Sequence, residues 1–342
     1  MHSWLLKKMS SLKMQKNKIS IAGLIFFIFI LILFFILIDL IFFKGKAADN
    51  PGTLKRTDEN EKNKYKILEI YLIKYGESRF DIKEIFYDSN NKLNEKICFD
   101  WLFYVIKYDD QYILVDCGFD NDKYIKMFNL YKYENPIAIL EKNEIKSQNI
   151  KKLILTHEHF DHIDCAKHFK GSELIISKNS FYNIRNKSEY LSLEQADEQV
   201  LFSGSYSFDN IFEIKEVGGH TKGSSMLIIN LPENTQIIYD YNSDKYNFKI
   251  ISESTIENSS LIIFAGDECY VPENYIQNRI IGSFYSLQNL RKNNNWLNEI
   301  YKNKIGIILL SHQHGILDST GMMKLYEMKI PLETKTTTSD KN

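Results

Sequence analysis

The segment LILTHEHFDHIDCAKHF, residues 153–169, constrains this chain more than any other. Its centre, His157-Glu158-His159-Phe160-Asp161-His162, puts three imidazoles and two carboxylates directly after KKLILT, an apolar run of strand length. The helical zinc-protease motif HExxH needs histidines four residues apart, one helical turn, so that both face one metal. Four residues after His157 stands Asp161, and the cluster begins in a loop leaving a strand, so that reading fails. Read instead as H-x-H-x-D-H, the loop lets His157 and His159 point the same way, while Asp161 and His162 turn toward a second ion beside the first. Imidazole with carboxylate is a borderline ligand set that suits Zn²⁺ and also admits Fe or Mn. One loop can therefore seed both halves of a two-metal site with ions about 3.5–4 Å apart.

Such a site needs further ligands, and the chain supplies candidates where apolar runs end. EVGGHTKGSSMLII places His220 in a glycine-flanked turn between two strands. LIIFAGDECY places Asp267, and IGIILLSHQHG places His312, just after buried-looking strands. Six of the eight histidines (157, 159, 162, 220, 312 and 314) fall at strand ends. The spacing from ILLS favours His312 over His314 as the last ligand. His168, on a short helix, reads as a surface or hydrogen-bonded residue.

The remaining pattern is β-rich with interspersed helices. ILEIYLIKYG, FDIKEIFY, FDWLFYVIKY and QYILVDCG read as strands, NPIAILEKNEI as a helix, and IDCAKHFKG as a short helix stopped by Gly171. SELIIS is a strand, and residues 178–202 read as partly polar helix. IFEIKEV, SSMLIIN, TQIIYD and SLIIFAGD are strands, residues 284–303 a longer helix, and IGIILLS the strand that closes the core. Two β-rich halves, each with helices, predict two sheets packed face to face with helices outside, an α/β sandwich over residues 67–332.

Outside that domain lies one long apolar run. Residues 19–43 carry a single charge, Asp39, and show no polar face. At about 1.5 Å per residue they can cross a hydrocarbon core of about 30 Å, which predicts an uncleaved single-pass anchor in a lipid membrane. Residues 1–18 form a basic segment, 44–66 a polar tether and 333–342 a polar tail. Lys7, Lys8, Lys13, Lys16 and Lys18 precede the span, against Lys44, Lys46, Lys55 and Arg56 after it. That bias predicts that the bulk of the protein lies on the non-cytoplasmic side. With 43 basic and 44 acidic residues, nothing in the bulk charge draws the chain to nucleic acid. Cys98, Cys117, Cys165 and Cys269 show no CxxC pairing and read as separate, mostly buried thiols.

THEHFDH, GGHTKGS, AGDECY and LLSHQHG, in that order, strongly resemble the metal motifs of the metallo-β-lactamase superfamily, over roughly residues 65–320. The resemblance implies an αββα sandwich with two Zn²⁺ ions at one edge of the sheets. His157, His159 and His220 would hold the first ion, Asp161, His162 and His312 the second, and Asp267 would bridge them. Asp116, in YILVDCG, would orient ligands, and a hydroxide between the ions would be the nucleophile. Asp267 stands where thiolate-ligand β-lactamases carry cysteine, and His159 where flavodiiron proteins usually carry glutamate, so both branches are disfavoured. Tyr270, in GDECYVPENY, is similar to the D-x-x-Y tyrosine that contacts the substrate carbonyl in N-acyl homoserine lactonases. The implied activity is opening of a lactone or ester carbonyl in a small molecule, with Asp161 passing a proton to the leaving alkoxide and Tyr270 polarising the carbonyl. Alternatives are a glyoxalase II-type thioesterase, a phosphodiesterase, or a membrane-tethered metal-binding sensory domain.

Overall fold

The computed structural model describes residues 64–87, 95–184, 193, 198–240 and 260–332. The chain divides into two units, residues 1–59 and 60–342, and every described residue belongs to the second. The predicted span at residues 19–43 lies outside the described residues, among which no helix is long and apolar enough to cross a membrane.

In chain order the elements are β1 (Tyr65–Asp81), α1 (Ile82–Ile85), β2 (Lys96–Tyr108), β3 (Gln111–Val115), α2 (Asp122–Met127), α3 (Pro136–Lys142), β4 (Ile150–Ile154), α4 (Phe160–Ile163) and β5 (Glu173–Ser177). Next come α5 (Lys178–Ile184), β6 (Glu198–Phe202), β7 (Ser205–Phe208), β8 (Phe212–Glu216), β9 (Ser225–Leu231) and β10 (Gln236–Asp240). The last are β11 (Ser260–Phe264), α6 (Glu273–Ile276), α7 (Leu287–Lys302), β12 (Gly306–Leu309) and β13 (Gly321–Pro331).

The strands form an eight-stranded sheet, β10-β13-β1-β2-β3-β4-β5-β6, and a five-stranded sheet, β12-β11-β9-β8-β7. Alternation along β2 explains how they pack. Leu102, Tyr104 and Ile106 point one way and meet Phe212, Ile214, Leu227, Ile229, Ile262 and Phe264 of the second sheet in one core. Trp101, Phe103 and Val105 point the other way, into a core shared with Ile139 and Leu140 of α3 and with Phe169. On the far face of the second sheet, Met226, Ile228 and Ile263 pack against Leu297 and Ile300 of α7. The result is the expected αββα layering, with strands apolar on both faces because both faces are covered.

Three expectations are corrected. FDIKEIFY is not a separate strand: β1 runs on to Asp81, and residues 82–85 then form a helical turn. The reason is local, since Asp81 and Glu84 form a reciprocal capping box that starts a helix. The helix predicted over 178–202 stops at Ile184 among the described residues, and Glu198–Phe202 is strand β6, paired parallel to β5. IGIILLS does not close the core: β13 follows it and lies between β1 and β10 in the larger sheet.

The topology places the site. β11 and β12 are parallel neighbours, so Asp267 and His312 leave the same end of the sheet, where Ala265 N donates to Leu309 O at 2.9 Å. Ser225 N, at the start of β9, donates to Thr156 O at 2.8 Å. That bond joins the end of β4 in one sheet to the beginning of β9 in the other. The loops carrying residues 157–162, 220, 267 and 312 therefore meet at one edge of the sandwich.

Candidate metal centre

Two clusters of ligand atoms occupy that edge, and one residue belongs to both. In the first, His159 Nδ1 lies 3.0 Å from His157 Nε2 and 2.9 Å from His220 Nε2. Asp267 Oδ2 completes it, 3.7 Å from His157 Nε2 and 3.5 Å from His220 Nε2. In the second, His162 Nε2 lies 3.3 Å from Asp161 Oδ2 and 3.2 Å from Asp267 Oδ1. His312 Nε2 is 3.6 Å from Asp161 Oδ2 and 3.1 Å from Asp267 Oδ1. A tetrahedral zinc site with bonds of about 2.1 Å has ligand-to-ligand edges of about 3.4 Å, so both clusters have the right size. Asp267 presents one oxygen to each.

The hydrogen bonds on the far sides of the imidazoles set which nitrogens face inward. His220 Nδ1 donates to Ser283 O at 2.9 Å, and His312 Nδ1 donates to Asp100 O at 3.0 Å. His162 Nδ1 pairs with Asp116 Oδ2 at 2.7 Å. Asp116 is itself held by Thr156, whose N–H donates to Oδ1 at 2.8 Å and whose hydroxyl donates to Oδ2 at 2.9 Å. With Nδ1 spent, each of these rings turns Nε2 toward the centre, where a neutral ring offers a metal its lone pair. His162 Nε2 is buried with no hydrogen-bond partner among the described residues, and it looks at two carboxylates. Lone pairs converging on lone pairs repel unless a cation lies between them, so the donor set fits divalent metal.

The electrostatics agree. Burial, then the neighbouring His162, holds His157 well below the ordinary imidazole range, and burial with His220 lowers His159. Both are neutral donors. Burial opposes a charge on His162, but Asp161, Asp116 and Asp267 carry its proton affinity well above the usual range. Burial would raise Asp161 and Asp267, yet the facing histidines, His162 foremost, keep both below the usual carboxylate range. A field that concentrates positive charge at one point is the field a cation needs.

The structure brings together all seven predicted ligands and Tyr270. The Tyr270 ring sits edge-on to both His220 and His312, 5.8 and 5.6 Å between centroids, so it covers both clusters. Burial, with Asp267 and Asp161 nearby, pushes its phenol well above 10, and the hydroxyl keeps its proton. His314 is not in the site: its Nδ1 pairs with Asp100 Oδ1 at 2.8 Å. His168 pairs with Asp120 at 2.7 Å. All four cysteines are free, three of them buried.

Sequence reasoning missed the residues that hold the His220 turn. Glu268, fully buried beside Asp267, accepts from Gly219 N at 3.0 Å, His220 N at 2.8 Å and Asn293 Nδ2 at 2.7 Å. Glu158, between the first two histidines of HEHFDH, accepts from Ser180 Oγ at 2.7 Å, Asn183 Nδ2 at 2.8 Å and Thr221 Oγ1 at 2.8 Å. Phe160, also unremarked, stacks on Phe128 and Tyr124 beside Asp161, with centroids 4.9 and 4.1 Å away. A carboxylate beside a ligand, in GDE and HEH, was the available signal for the two glutamates.

Residues 102–173, which include HEHFDH, match the family model described as the metallo-beta-lactamase superfamily. A search of curated proteins by sequence finds no match. Among solved structures, the chain is similar to an N-acyl homoserine lactone hydrolase with the product N-hexanoyl-L-homoserine bound at its catalytic metal centre: 17% identity, 72% of this chain and 93% of that one, TM-score 0.56. It is also similar to a probable metal-dependent hydrolase from Staphylococcus aureus: 15% identity, 78% and 98% covered, TM-score 0.55. A third is the dizinc quorum-quenching lactonase AidC, at 14% identity with 78% and 95% covered and a TM-score of 0.51. At these identities the likeness establishes a common fold.

Proposed function

We propose that this chain, a metal-dependent hydrolase of the metallo-β-lactamase superfamily, holds two Zn²⁺ ions and opens a lactone or ester in a small molecule. The observation that carries the reading is Asp267, whose two oxygens face two complete ligand clusters under the ring of Tyr270. His157, His159 and His220 would hold one ion, and Asp161, His162 and His312 the other. When bound, the ions would supply Lewis acidity toward a carbonyl oxygen and would lower the pKa of a bound water so that it could attack at neutral pH. Tyr270 stays protonated and donates to the carbonyl oxygen as charge develops there. Asp161, kept ionised by its histidine neighbours, takes up a proton and returns it to the leaving alkoxide. Similar folds that hold N-hexanoyl-L-homoserine, the ring-opened product of a lactone, support this branch over a thioesterase or phosphodiesterase. The apolar run at residues 19–43 anchors the enzyme in a membrane, with the catalytic unit on the non-cytoplasmic side.

Turnover of a lactone, an ester, a thioester, a β-lactam and a phosphodiester by the full chain tests this reading. Lactone or ester turnover is expected, and Tyr270→Phe lowers its kcat by about 100-fold. Thioester or phosphodiester turnover without lactone or ester turnover contradicts it.

A further inference from the structure

Beside the cluster that contains His312 lies a buried ionic network that the mechanism leaves unused. Lys74, in β1, is fully buried, and its ammonium reaches Glu77 Oε1 at 2.7 Å, Asp100 Oδ2 at 2.9 Å and Leu317 O at 2.8 Å. Asp100, in β2, is equally buried. Its Oδ1 takes His314 Nδ1 at 2.8 Å, and its Oδ2 takes Gly315 N at 3.3 Å. Its main-chain carbonyl takes the Nδ1 proton of His312 at 3.0 Å. One residue thus grips both histidines of SHQHG, the first through its backbone and the second through its side chain.

The placement is specific to the metal edge. Asp100 shares a strand face with Leu102 and Tyr104, which point into the apolar core between the sheets. The same strand fixes the approach to His312 residue by residue: Tyr104 Oη donates to Leu310 O at 2.6 Å and Leu102 N to Ser311 O at 3.1 Å. Buried ion pairs contribute little net stability compared with apolar packing of the same volume. A charge at position 100 is therefore poorly explained as a stabilising feature, and apart from Lys74 its partners are His312, His314 and Gly315 in one loop.

We propose that Lys74, Asp100 and His314 are positioning residues for the half-site that contains His312. They fix the Asp100 peptide so that its carbonyl holds the His312 ring with Nε2 aimed between Asp161 and Asp267. The inference rests on the two-metal reading. It assigns a role to His314, which the sequence sets beside His312 as a rival ligand and which serves instead by holding the residue that orients the ligand.

The test is stepwise Zn²⁺ affinity of the metal-free full chain, measured by chelator competition, for wild type, His314→Ala and His314→Asn. His314 is half-exposed, with a side-chain exposure of 43%, so its truncation leaves the core packed. In His314→Ala one ion binds as in wild type, and the other binds about tenfold more weakly or worse. His314→Asn, whose amide returns a donor near the position of Nδ1, restores most of the loss. Equal weakening of both ions, no weakening, or a loss that Asn does not repair overturns the proposal. Wild-type protein that binds fewer than two ions overturns the two-metal reading, and the positioning role with it.

Discussion

Gly219 shows how tightly the turn before β9 is specified. A Cβ there would collide with the Glu268 carboxylate, which is occupied in holding the backbone N–H groups of Gly219 and His220. Gly219→Ala must therefore displace Glu268 or the turn. Denaturant unfolding should show a loss of about 1–3 kcal/mol, the usual cost of overpacking, together with weaker binding at the cluster containing His220. Asp116→Asn leaves the shape of its site unchanged but removes the charge behind His162. Chelator competition should show metal affinity falling by about 10–100-fold, and unchanged affinity would remove Asp116 from the account. At this scale the sequence was legible where spacing is local. His157, His159, Asp161 and His162 sit in one loop, and their pattern names their chemistry. Asp100, Glu158 and Glu268 were not legible as functional supports, because their partners lie far away in the chain, as with Glu158 and Thr221, 63 residues apart.

The strands were legible because β-branched and aromatic runs of the right length recur, as in FDWLFYVIKY and SLIIF. What failed were elements whose pattern competes with another. GMMKLYEMKIP alternates less cleanly than its neighbours, yet β13 buries Leu325, Tyr326, Met328 and Ile330 and pairs with β1 along ten residue positions from Tyr65 to Lys74. A chain ending at Thr320 should lose the cooperative unfolding transition, while one ending at Leu332 should keep it; circular dichroism melts distinguish them. β1 also carries an acid-sensitive feature. Burial would raise Glu77, but hydrogen bonds from Lys74 and Lys132 bring it down to about 2. A folded-state value below the unfolded one, near 4.5, stabilises the protein above that pH, and the contribution is lost as pH falls toward 2. Glu77→Gln should therefore cost on the order of 2 kcal/mol at neutral pH and flatten the acid limb of the stability profile between those values.

At the scale of the whole molecule, the two sheets matter because their ends coincide. β4, β11 and β12 all deliver polar residues to one edge, and β9 begins there, so ligands spread over more than 150 residues of sequence fall within two clusters sharing Asp267. The proposed anchor belongs to this scale too: the full chain should sediment with membranes, and deletion of residues 19–43 should release it into the soluble fraction. The proposed function requires one edge of the sandwich to hold two metal ions through a shared carboxylate. Zinc content of the gently prepared full chain, compared with Asp267→Ala, tests it most directly. Two ions per wild-type chain are expected, with loss of tight binding at both half-sites in the variant. One ion or fewer in the wild type, or two retained without Asp267, would contradict it.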